Sequence, residues 1–120
     1  MTSGEEEISR VLSALADPTR RRILDALVGR GAATPTALAE VVPVTRQAIV
    51  KHLGVLTRAG LVTVRREGRE ARYTVVPGPM DATAAWMERT AAVWGSRLAA
   101  IRRIAEAAEG QATDLGRTSS

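Results

Sequence analysis

Apolar residues recur along this chain with two different periods, and the change of period marks its elements. Over residues 5–15, Ile8, Val11, Leu12 and Leu15 fall at i, i+3, i+4 and i+7, the stripe of an amphipathic helix, with three glutamates in its first turn. Asp17-Pro18 then supplies an N-cap and a first-turn proline, which predicts a second helix over 18–28 that buries Ile23, Leu24 and Leu27 and stops at Gly29 and Gly31. Thr34 and Thr36 flank Pro35 as competing N-caps of a short third helix containing Leu38, Ala39 and Val41 or Val42. Pro43 closes that helix. Thr45 caps a fourth helix over 46–58 whose inner face is Ala48 or Ile49, Leu53 and Leu56.

After Ala59-Gly60 the period falls to two. Val62 and Val64 alternate with Thr63 and Arg65; beyond a turn at residues 67–70, Ala71, Tyr73 and Val75 alternate with Arg72 and Thr74. The pattern predicts a β-hairpin leaning on the helices, with room for a short third strand near 32–35. Pro77-Gly78-Pro79 is expected to break regular structure before a last helix over 81–109, capped by Gly110. In it Met87, Ala91, Trp94, Leu98, Ile101, Ala105 and Ala108 follow alternating steps of four and three, a heptad seam widened by Trp86 and Val93. At ~1.5 Å per residue such a helix spans roughly 40 Å, more than a small helical core covers, so the surplus face implies a second chain. The expected architecture is mainly α with a small β-hairpin: about five helices and a two- to three-stranded sheet in one domain over 1–110, followed by a disordered tail over 111–120.

The tight turn between the third and fourth helices is the helix-turn-helix arrangement. The outward face of the fourth helix carries Arg46, Gln47, Val50, Lys51 and Gly54, a mixture of hydrogen-bonding and apolar groups suited to base edges and thymine methyls. Charge sharpens this picture. Residues 43–75 hold seven Lys and Arg against Glu67 and Glu70, a net of +5, whereas residues 1–16 hold three glutamates against Arg10, a net of −2. Positive charge concentrated on one unit is the footprint of a polyanion.

There is no cysteine and one histidine, which removes disulfides and thiolate chemistry and leaves a transition metal only carboxylates and His52 within one chain, or carboxylates across a dimer interface; neither a metal nor another cofactor is expected. No nucleophile elbow, phosphate loop or paired-carboxylate motif points to an enzyme. No apolar run approaches membrane-spanning length, and the acidic start MTSGEEEIS is unlike a secretory leader, so a cytoplasmic protein is expected.

Taken in order, ALADPTRRRILDALV, TALAEVV, TRQAIVKHLGVLTRAGLV and the hairpin RREGREARY resemble the ArsR-type (ArsR/SmtB) winged helix-turn-helix repressors over residues 8–76. The resemblance implies a bacterial homodimeric repressor, associated with the nucleoid through double-stranded DNA, whose first and last helices form the interface. It puts the fourth helix in the major groove and makes the hairpin a wing. Carried over by position, Thr45, Arg46, Gln47 and Val50 are the base-reading residues, with Lys51 and His52 beside them, and Arg65, Arg66, Arg69 and Arg72 are the wing contacts. The interface implied by the resemblance and by the heptad comprises Ile8, Val11, Leu12, Leu15, Met87, Trp94, Leu98, Ile101 and Ala105. The chain departs from the metal-sensing members: the third helix lacks the cysteine pair of arsenic and cadmium sensors, and the last helix lacks the histidines of zinc and nickel sensors. Val50 stands where many relatives have serine, which bears on the phosphate or base contact usually made there. The last helix, WMERTAAVWGSRL, resembles a subgroup without metal ligands.

Some residues carry a plainer reading. His52, three after Ile49 and four before Leu56, suits a hydrogen-bonded, partly buried structural role better than a phosphate contact. One of Arg20, Arg21 and Arg22 is read as an ion-pair partner of Asp17 or Asp25. Trp86 and Trp94 read first as packing anchors and second as the lining of a pocket for an unknown small-molecule effector. The alternative function is a winged-helix protein–protein interaction module without specific DNA binding.

Overall fold

The computed structural model describes residues 3–118, with side chains described over 4–112. Helices α1 (Ser3–Leu15), α2 (Pro18–Arg30), α3 (Pro35–Val41) and α4 (Arg46–Arg58) are followed by strands β1 (Val62–Glu67) and β2 (Glu70–Val75) and by helix α5 (Pro77–Thr118). Contacts divide the chain into two units, Met1–Ala84 and Ala85–Ser120. No helix among the described residues is long and apolar enough to cross a membrane.

The first unit is built around a core in which Ile23 and Leu27 of α2, Leu38 of α3, and Ile49, Leu53 and Leu56 of α4 are fully buried. Val11 and Ala14 bring α1 into it, and Leu61 and Val62 bring the start of β1. The starts of α2, α3 and α4 are encoded locally. Asp17 accepts from the Arg20 amide at 3.1 Å, Thr34 from Ala37 at 3.2 Å and Thr45 from Ala48 at 3.1 Å, satisfying first-turn donors that have no partner inside the helix. Of the two competing caps of α3, Thr34 is therefore the one used. Proline follows Asp17 and Thr34, at the position where a missing N–H costs nothing.

Three helix boundaries differ from those the sequence predicts. Gly29 does not stop α2; Gly31 does, because it alone takes a positive φ (83°) and donates its amide back to the Leu27 carbonyl at 2.8 Å. Pro77-Gly78-Pro79 opens α5 rather than breaking the chain before it, since both prolines sit in a first turn whose amides need no intrahelical acceptor. Gly110 does not cap α5: it takes no positive φ, and the helix continues to Thr118 through most of the segment expected to be a disordered tail. Residues 119–120 of that tail lie outside the described residues.

The hairpin is antiparallel in a single register, Val62 opposite Val75 and Glu67 opposite Glu70. Its two-residue loop has a positive φ at Gly68 (63°) and none at Arg69, the II′ pattern that matches strand twist. The third strand is reduced to one bridge: Ala33 and Tyr73 exchange two hydrogen bonds of 3.1 and 2.9 Å, tying β2 to the α2–α3 connection.

The second unit is the remainder of α5. Val93, Trp94, Leu98, Ile101 and Ile104 are all at least 49% exposed in it.

Candidate nucleic-acid interface

α3 and α4 meet across a short turn in which Val42 is buried and the Val44 amide donates to the Val42 carbonyl at 2.8 Å. With Ile49, Leu53 and Leu56 held inward, the helical period turns Arg46, Gln47, Val50 and Lys51 outward, and all four are exposed. Ile49, not Ala48, is the residue of that pair that enters the core. Arg46 does not extend freely: its Nε donates to Thr36 Oγ1 of α3 at 3.2 Å. No sequence signal pointed to Thr36, which lies ten residues away on another helix.

The hairpin alternates in the same sense. Register places Val62, Val64 and Arg66 with Ala71, Tyr73 and Val75 on one face, and Thr63, Arg65 and Glu67 with Glu70, Arg72 and Thr74 on the other. On the second face Glu67 pairs with Arg65 (3.3 Å) and Arg72 (3.1 Å), while Glu70 pairs with Arg72 (3.2 Å). Arg66 of the first face and Arg69 of the turn join Arg46, Val50 and Thr36 around a groove of about 680 Å³ that also has Glu40 and Glu70 on its wall. Arg66, Arg69 and Lys51 have no ion-pair partner among the described residues. The four hairpin arginines expected to act alike thus fall into two pairs, one ion-paired with glutamates and one without an ion-pair partner among the described residues. The groove is lined both by guanidinium groups of the hairpin and by the exposed start of α4, and cationic groups of this kind suit a phosphodiester strand.

His52 lies on the flank of α4, partly buried, with Nδ1 3.4 Å from Arg20 NH1. A guanidinium has no acceptor, so the imidazole nitrogen must accept. Arg20 pairs with Asp17, not Asp25, at 3.7 Å, and it also donates to the Ala14 carbonyl at 2.7 Å and the Ser13 carbonyl at 3.3 Å. Arg21 donates to the Leu15 carbonyl at 2.6 Å. Two positive side chains at the start of α2 oppose its own dipole, yet they reach the C-terminal carbonyls of α1, where positive charge is favoured. The Asp17 carboxyl titrates below the ordinary aspartate value, first because the Arg20 amide donates to it; desolvation opposes this, and the Thr19 amide and the Arg20 charge add to it. No group of three or more metal-ligating side chains occurs among the described residues.

With the geometry in place, comparison with known proteins becomes informative. A family model described as a helix-turn-helix domain matches residues 15–65. An ArsR-like transcriptional regulator from Rhodococcus sp. RHA1 has the same fold with a TM-score of 0.71 and 43% identity, over 86% of this chain and 96% of that one. The transcriptional repressor SdpR of Bacillus subtilis is 32% identical over 80 residues, 67% of this chain and 88% of that protein. The chain belongs to the ArsR-type transcriptional regulators. It is also 44% identical over 71 residues to the regulator CmtR of Mycobacterium tuberculosis, spanning 59% of that protein's length.

In this ArsR-type chain the residues expected to face a second copy do not share one environment. Val11 is 1% exposed and belongs to the chain's own core, because the side of α1 that carries Val11 and Ala14 is the side that packs inward. Ile8, Leu12 and Leu15 are half-buried, with Leu15 against the core. Met87, Trp94, Leu98, Ile101 and Ala105 are exposed, and Trp86 is half-buried.

Proposed function

We propose that this ArsR-type chain is a sequence-specific DNA-binding repressor that acts as a homodimer on an inverted-repeat operator. The observation that carries the reading is the single groove on which the outward start of α4 and the unpaired hairpin residues Arg66 and Arg69 converge. Arg46 and Gln47 have the side-chain chemistry for bidentate contacts to guanine and adenine, and Val50 can meet a thymine methyl. Thr45 caps the helix and holds its first turn in position. Lys51, Arg66 and Arg69 supply sequence-independent phosphate contacts, with Arg65 and Arg72 contributing less because glutamates already neutralise them. Two copies related by a two-fold axis would address major grooves roughly 34–36 Å apart. The exposed apolar stripe of α5 supports self-association, and SdpR, whose name describes a repressor, supports the direction of regulation.

The test is binding to the DNA upstream of the protein's own gene and to random DNA, each at two salt concentrations. Selective binding that persists as salt rises is expected. Arg46→Ala and Gln47→Ala should each weaken operator binding by about 1–3 kcal/mol while leaving random-DNA binding almost unchanged. Equal losses on both DNAs would remove the base-reading role.

A further inference from the structure

The Arg20 side chain joins three helices of the first unit. Its guanidinium meets the Ser13 and Ala14 carbonyls at the end of α1, Asp17 at the start of α2 and His52 in the middle of α4. Its side chain is only 17% exposed, and it lies outside the groove-lining set. We propose that Arg20, through His52, is a positioning residue: it sets the rotation of α4 about its own axis, and so the selectivity of DNA reading, without contacting DNA. The inference rests on the DNA-reading role proposed above.

Ile49, Leu53 and Leu56 hold α4 against the body by apolar contact, which is strong but non-directional. Rotation matters for Arg46, Gln47 and Val50. A side-chain tip about 5–6 Å from a helix axis moves roughly 1 Å for a turn of about 10°, and a recognition site requires placement within about 0.5 Å. His52 is on the flank of α4, off the apolar stripe, so a directional bond at that point resists turning in a way the core does not. The other end of the bond is fixed as well. Arg20 is anchored on two carbonyls of the last turn of α1, those of Ala14 and of Ser13, which also accepts from the Ala16 amide, and its planar fork reaches them and His52 together; a lysine ammonium, a single point of donation, does not span the same set.

The experiment uses the full chain and its Arg20→Lys, His52→Ala and His52→Asn variants. Asparagine Oδ1 takes the place of the imidazole Nδ1 acceptor, so His52→Asn is the conservative rescue. Operator and random-DNA affinities are measured across a salt series, and amide hydrogen exchange is followed over α4 without DNA. Arg20→Lys and His52→Ala are expected to lower the operator-to-random affinity ratio about fivefold or more, with the salt slope unchanged and faster exchange in α4 but not in the hairpin. His52→Asn should restore most of the ratio. A direct phosphate contact would instead lower both affinities together and reduce the salt slope by about 1, which would overturn the proposal. So would an unchanged ratio and unchanged α4 exchange in both loss variants. If the unaltered protein shows no selective DNA, the DNA-reading role fails, and the exchange of α4 still decides whether Arg20 and His52 fix the helix.

Discussion

α4 and the second half of α5 carry apolar stripes of similar chemistry and use them in opposite ways. In α4 the stripe is Ile49, Leu53 and Leu56, each 0% exposed, and the polar face turns outward. In α5 it is Trp94, Leu98 and Ile101, each about 60% exposed. A helix that completes its burial within its own chain frees its other face for function. A helix whose apolar side stays exposed leaves that side available to a partner.

The sharpest way to break this contrast is to cut each stripe. Leu53→Ala removes buried atoms from a closed core and should cost about 2–5 kcal/mol in urea unfolding; a cost below 1 kcal/mol would mean α4 is not seated as described. Trp94→Ala combined with Leu98→Ala should weaken self-association by about 2 kcal/mol or more, measured by sedimentation, because buried aromatic anchors dominate interfaces. Unchanged association would assign the α5 stripe to a different partner.

Smaller effects sharpen the polar side of the contrast. Arg66→Ala and Arg69→Ala should each reduce the salt slope of random-DNA binding by about 1, and Arg65→Ala by less, since Glu67 already offsets Arg65. Smallest is the Asp17→Asn change, which keeps a capping oxygen and removes a charge. The Asp17 pKa is lowered in the folded chain, so its contribution to stability is complete above the unfolded value of ~4 and is lost as pH falls through the lower folded value. The stability difference between the two proteins should therefore be constant above that range and shrink below it, as followed by thermal unfolding at stepped pH.

The short-range chemistry of this fold was legible in the sequence. Asp17 and Thr45 announced two helix starts, while Thr34 and Thr36 competed for a third that only the structure assigns to Thr34, and the change from a period near 3.6 to a period of 2 announced the hairpin. Glycine was less readable, since Gly29, Gly31 and Gly110 look alike and only the backbone angle demanded by packing separates a cap from a helical residue. The prolines at 77 and 79 misled because breaking and starting a helix use the same property. At the candidate interface the residue types and their outward face were readable in advance. The division of four arginines into paired and open sets was not, because it depends on which glutamate lies across the strand or beside the turn. Nor could the sequence say that Arg20 and Arg21 serve the end of a preceding helix, or that Val11 lies on the inward side of α1.

The bridge between Ala33 and Tyr73 has a consequence for how such hairpins vary. It pins β2 near its middle, leaving the half toward Gly68 attached by strand pairing alone. Because side chains alternate, one residue added to each strand beyond the bridge would swap the paired and open arginine faces at the tip. Two added to each would keep the faces and lengthen the projection by about 7 Å. Reach can therefore be altered without disturbing charge presentation only in increments of four residues.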